Sequence, residues 1–237
     1  MPYPWLKPGV FLGALVPLAV LGLQALQGTL GADPVALALN RLGLLALIFL
    51  IASLAATPAK LLLGWTWPVR LRRMLGLFAF FYATVHLVTY VVVDQRFDWP
   101  VLWADVTKRK FMVVGFAAFL LLLPLALTST DASVRRLGFR RWKALHRLAY
   151  LAAVLAVVHF LWRVKLDVRQ PLLYALVLGA LFLVRVLDAL RTRRKRRGPG
   201  AASDAAASGY SGAVGAPAMV AGDTASAQQA ESERRLK

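Results

Sequence analysis

Apolar residues in this chain are gathered into unbroken runs, each closed by a short polar or basic cluster. Six runs stand out, at about residues 10–27, 42–57, 74–93, 111–127, 145–162 and 171–190. A run of ~20 apolar residues is the length a helix needs to cross a hydrocarbon core of ~30 Å. Segments apolar on every side suit lipid better than water. The pattern predicts an all-α polytopic membrane protein, with six transmembrane helices bundled as one domain across residues 1–197. The first run is long for a signal peptide and is followed closely by another span, so it is read as a retained helix.

After residue 198 the pattern stops. The sequence turns to Ala, Gly, Ser and Gln with few large apolar residues, which predicts a disordered tail over 198–237. No repeat period is evident. The remaining polar segments are short, so successive helices are expected to be neighbours. The longest of them, 97–110, carries Trp99 and Trp103; with Trp65, Trp67 and Trp142 these suit the aromatic belts of a membrane interface.

Charge adds orientation. The formal net charge of +18 over 237 residues is concentrated on one side of the predicted bundle. Lys7, Lys60, Arg70, Arg72, Arg73, the 135–143 group and the 191–197 group supply sixteen basic residues there. The alternate loops supply seven: Arg96, Lys108, Arg109, Lys110, Arg163, Lys165 and Arg169. The positive-inside rule therefore places both termini in the cytoplasm. Arg185 and Asp188 sit near the end of the sixth run, where a long basic stem is expected to snorkel to the interface. The 191–197 cluster abuts a membrane helix end, which favours anionic lipid headgroups at ~1 kcal/mol per basic residue over nucleic acid.

Candidate chemistry rests on three histidines. The chain has no cysteine, which excludes disulfides, thiolate heme ligation and iron–sulfur ligation by its own side chains. His86 and His159 lie deep in the third and fifth runs, and an intramembrane histidine is a functional hypothesis by default. Both runs cross in the same direction. His86 falls ~18 Å and His159 ~21 Å from the start of its run, at ~1.5 Å per residue. Two imidazoles at matching depth on parallel helices are what a bis-histidine heme held between them requires.

His146 stands apart, ~20 Å along the axis from His159 and rotated ~220° around an ideal helix. Two readings stand for it: ligand of a second heme near the cytoplasmic surface, or an interfacial residue among Lys143 and Arg147. Tyr82, His86 and Tyr90 form an i, i+4, i+8 stripe, which either orients the imidazole and lines a porphyrin edge or is plain helix packing. Arg73 and Arg147 at one end, and Arg163 at the other, are candidate partners for heme carboxylates.

The segment LTSTDASVRRLGFRRWKALHRLAY (127–150) resembles the inner loop and fifth helix of the heme-binding membrane subunits of bacterial periplasmic methionine-sulfoxide reductase systems, the MsrQ family. The segment RRMLGLFAFFYATVHLVTY (72–90) is similar to their third helix, and the likeness runs from about residue 5 to 192. That family sits within the ferric-reductase-like transmembrane superfamily. The resemblance implies an inner-membrane subunit carrying electrons from the quinone pool through heme b. The recipient would be a periplasmic molybdopterin subunit that reduces methionine sulfoxide in oxidised proteins. It also implies FMN as a second cofactor, and aligns His86, His146 and His159 with heme-linked positions. Two-heme oxidases of the superfamily have two histidines in the third helix; this chain has one, which leaves one or two hemes open.

No glycine-rich dinucleotide fingerprint follows a strand pattern, so electrons are expected from a membrane carrier or another protein. On this reading the chain is an electron-transfer subunit with no sulfoxide chemistry of its own. His146 would mark the end where electrons arrive, and His86 with His159 the end where they leave. A stand-alone metalloreductase would favour acidic outer loops. Here Asp94, Asp98, Asp105 and Asp167 face seven basic residues. A histidine-relay transporter would favour carboxylates in mid-span, and none is present.

Overall fold

The computed structural model describes residues 5–164 and 167–197, so the predicted tail at 198–237 lies outside the described residues. By contacts the chain divides into two units, Met1–Leu187 and Asp188–Lys237, and the helix ring with its cavity belongs to the first. The described residues are helical, with no strand among them. The order is α1 (Leu6–Leu26), α2 (Pro34–Leu63), α3 (Trp67–Val88), a π-helical turn (Thr89–Asp94), α4 (Trp99–Lys108), α5 (Lys110–Leu127), α6 (Asp131–Leu137), α7 (Phe139–Leu145), α8 (Leu148–Arg163) and α9 (Arg169–Arg197).

Six helical segments are long and apolar enough to cross a membrane: Leu6–Leu26, Pro34–Leu63, Trp67–Asp94, Lys110–Leu127, Phe139–Arg163 and Arg169–Arg194. Their ends differ from the apolar runs for local reasons. α2 starts eight residues early because the Asp33 carboxylate accepts the Ala36 N–H and Pro34 fits the first turn. It ends where Gly64 takes a left-handed conformation (φ 69°) and its N–H reaches the Lys60 carbonyl. The fifth span is broken: α7 ends at Leu145, and α8 begins at Leu148. His146 and Arg147 lie at the break. The 97–110 segment, expected as a loop, contains α4, capped by Asp98 accepting from the Val101 N–H.

α2 packs along α3 and α5 along α8; α3 against α5 and α2 against α8 close a four-helix ring. Its core joins Leu47, Leu50, Ile51 and Leu54 of α2 to Ala79, Leu122, Ala152, Ala153 and Val157. Ala79, Ala152 and Ala153 are fully buried, and such small residues let helix backbones approach where no hydrophobic effect drives association. α1 joins through Ala14, Leu21, Leu42, Phe78 and Tyr82. Leu12, Val16 and Leu23 on α1 and Leu172, Leu173 and Leu176 on α9 point outward, as lipid-facing residues do.

Arg185 does not snorkel as its place near a helix end suggested. Its guanidinium donates to the Tyr150 hydroxyl and the Leu54 carbonyl, and lies 4.9 Å from the Tyr150 ring centre. Protein acceptors serve its two terminal nitrogens, its buried Nε has no partner among the described residues, and the side chain ties α9 to α8 and α2.

Candidate functional site

The ring leaves a cavity of about 670 Å³, within the ~300–1,000 Å³ typical of cofactor sites. It is lined by α2, α3 and its π-turn, α4, α5 and α8. Most of the wall is apolar. Asp33, Asn40, Asp94, Arg109 and Arg163 gather toward the end where α2 and α5 begin and α8 finishes. Arg72 and Arg73, at the other end of α3, belong to the basic end of the bundle.

His86 of α3 and His159 of α8 face each other across this cavity, with ring centres 6.4 Å apart and planes 82° to one another. Each ring is held at Nδ1 by a backbone carbonyl: Leu39 at 2.9 Å for His86 and Phe111 at 2.7 Å for His159. A carbonyl can only accept, so Nδ1 carries the proton and donates, leaving the lone pair on Nε2. A histidine fixed this way is oriented as a metal ligand.

Glycines make room for both rings. A Cβ on Gly115 would stand 2.5 Å from His159 Nδ1 and 2.7 Å from its Cε1, closer than a side chain can come. A Cβ on Gly43 would stand 3.3 Å from His86 Cε1. Leu39 with Gly43 on α2, and Phe111 with Gly115 on α5, each supply a carbonyl and, one turn on, a gap. The donor set and these gaps fit a metal centre held by two imidazoles between helices.

A sequence model described as "Ferric reductase like transmembrane component" matches residues 40–157, a stretch that holds His86 and His146 and stops two residues short of His159. A protein of Rhodospirillum rubrum named protein-methionine-sulfoxide reductase heme-binding subunit MsrQ is 55% identical over 190 residues, covering 80% of this chain and 91% of the relative. The chain belongs to the MsrQ family. Relatives of the same name in Deinococcus radiodurans (54% identical over 196 residues, 83% of this chain and 96% of the relative) and Herminiimonas arsenicoxydans (44% over 201 residues, 84% and 92%) agree.

The other candidate residues of this MsrQ-family chain are dispersed. Tyr90 lines the cavity, and its hydroxyl donates to the Asp105 carboxylate at 2.9 Å. Tyr82, from the same stripe, is turned away. It is fully buried, stacks on Phe49 with ring centres 5.4 Å apart, and donates to the Ala14 carbonyl at 2.6 Å. It fastens α1 and does not line the cavity.

Arg73 is at the basic end, bonded to the Ser129 carbonyl at 2.6 Å and paired with Asp131 at 2.7 Å. Arg147 lies at the α7–α8 break. Neither lines the cavity. His146 is also outside it: its Nε2 is 3.2 Å from the Thr128 hydroxyl, and its ring stacks on Trp142 at 4.0 Å. The Trp142 indole N–H donates to the Thr128 carbonyl at 2.9 Å, closing a small polar corner at the basic end.

Sequence reading missed Gly43, Gly115 and the carbonyls of Leu39 and Phe111. The glycines left a signal, since a glycine inside an apolar helix marks a close approach. The carbonyls left none, because every residue has one.

Proposed function

We propose that this chain is a heme b electron-transfer subunit of the bacterial inner membrane, with His86 and His159 as the two axial ligands through Nε2. One observation supports the reading above all others: two imidazoles face each other across an apolar cavity, each locked by a carbonyl in the tautomer that presents Nε2. The relatives' printed name, heme-binding subunit, agrees with it. Heme held by two histidines supplies one-electron transfer with no open position for oxygen.

The chain's own residues do the rest. The Leu39 and Phe111 carbonyls hold the rings in place, and Gly43 with Gly115 lets the helices stand close behind them. Apolar wall residues such as Leu47, Leu87 and Phe119 exclude water. Arg109 and Arg163, at the polar end, are placed to meet the heme carboxylates. His146, engaged by Thr128 and Trp142, packs the basic end, so the reading is one heme per chain.

With the basic end in the cytoplasm, the histidine pair lies toward the periplasmic side. Electrons come from the quinone pool and leave at the polar end to a periplasmic molybdopterin subunit, which reduces methionine sulfoxide in oxidised proteins. FMN is proposed as a second cofactor on the resemblance alone, without a site; acid-released flavin fluorescence per chain tests it.

The deciding experiment is a dithionite-reduced minus oxidised spectrum of purified protein, with pyridine hemochrome quantification. Sharp b-type bands at about one heme per chain are expected. No heme after heme-replete expression overturns the reading, and a ratio near two would bring His146 back as a ligand.

A further inference from the structure

Asp105 is the only carboxylate buried among the described residues, at 7% exposed, and the proposed electron transfer gives it no role of its own. It sits on the inner face of α4, a short amphipathic helix. Leu102 and Val106 share its side, and with Trp99 and Trp103 they line the cofactor cavity. Trp99 and Trp103 are nevertheless 68% and 73% exposed, so α4 is a wall one side chain thick. Ten residues form a marginal helix without outside support.

Its polar attachment is a single bond. The Tyr90 hydroxyl donates to Asp105 Oδ2 at 2.9 Å, the one side-chain hydrogen bond from α4 to a spanning segment among the described residues. Arg109, just past the helix, holds the other carboxylate oxygen at 3.0 Å, so the charge is compensated where it is buried. Tyr90 belongs to the π-helical turn that directly follows the α3 segment carrying His86. Such turns alter the register of the side chains that follow and recur at functional sites.

We infer that the Tyr90–Asp105 bond is a latch that seats α4 as the removable wall of the cofactor cavity, making both residues positioning residues for cofactor retention. With the bond made, Leu102 and Val106 wall one side of the cavity. With it broken, the buried carboxylate loses a partner and α4 lifts, because local opening is easiest where few contacts hold an element. The retention part rests on the heme reading; the latch itself does not.

The test uses the absence of cysteine from the chain. Leu102→Cys puts one thiol on the buried, cavity-lining side of α4. Its maleimide labelling rate in the full-length protein is measured alone and combined with Tyr90→Phe, Asp105→Ala or Asp105→Asn. Tyr90→Phe is expected to speed labelling about tenfold, the effect of losing one buried hydrogen bond, and Asp105→Ala, which also loses the Arg109 ion pair, at least as much. Asp105→Asn keeps an acceptor for the Tyr90 hydroxyl and is expected to stay within about twofold of the parent. In parallel, hemin transfer to apomyoglobin is expected to speed about tenfold in Asp105→Ala, whose side chain does not line the cavity, with the reduced spectrum unchanged before transfer.

Equal labelling in all four proteins overturns the latch. Faster labelling with unchanged hemin transfer overturns its role in retention. A parent protein without heme defeats the functional reading, and the labelling result still decides the latch.

Discussion

At His159 the nearest constraint is a missing side chain. A Cβ on Gly115 would overlap the imidazole at 2.5 Å, and the ring could yield only by giving up the Phe111 carbonyl. Gly115→Ala is therefore expected to cut heme content to below about a tenth of the parent by hemochrome assay while the helix content holds, since alanine is a better helix former than glycine. His86→Ala and His159→Ala are expected to abolish heme, whereas His146→Ala keeps one heme per chain. Normal heme in both of the first two variants would remove the ligand assignment. The histidine pair was legible because two imidazoles at one depth are rare in apolar helices. Tyr82 was not, because a stripe at i, i+4, i+8 fixes a face only to within a helix's curvature and rotation. Here Tyr82 turns to Ala14, while Tyr90, displaced by the π-turn, turns to Asp105.

Among the elements, the apolar runs located all six spans, but caps set where the helices end. Asp33 with Pro34, and Gly64, extend α2 past a run that closes at residue 57. The α7–α8 break was hidden because His146 and Arg147 look like ordinary members of a helical pattern; in the structure His146 is taken by Thr128 and Trp142. α4 was missed because an amphipathic helix of ten residues, beginning Trp-Pro, reads as an interfacial loop. α1 is held to the ring by one buried hydrogen bond, an exposed one from Arg41 to Gln24 at 2.6 Å and a modest apolar seam. Tyr82→Phe keeps the stacking on Phe49 and deletes only the bond to Ala14, so it is expected to cost about 1 kcal/mol. Leu54→Ala, in the ring core at 1% exposed, is expected to cost about 2–5 kcal/mol. Thermal unfolding in detergent, followed by helical circular dichroism, separates the two.

For the molecule as a whole, the functional reading depends on which end meets which compartment. The histidine pair lies toward the end bearing Asp33, Asp94 and Arg163, and the opposite end carries Lys60, Arg70, Arg72, Arg73 and the basic residues of α6 and α7. Retaining so many cations on one side is what insertion does when cytoplasmic loops are basic. Because the chain has no native thiol, single cysteines report sidedness without background. Ser133→Cys on α6 is expected to resist a membrane-impermeant maleimide in intact cells and to react after lysis. Gln95→Cys, between the π-turn and α4, is expected to react in intact cells. The reverse pattern would put the histidine pair toward the cytoplasm, where it could not hand electrons to a periplasmic partner, whatever its heme content.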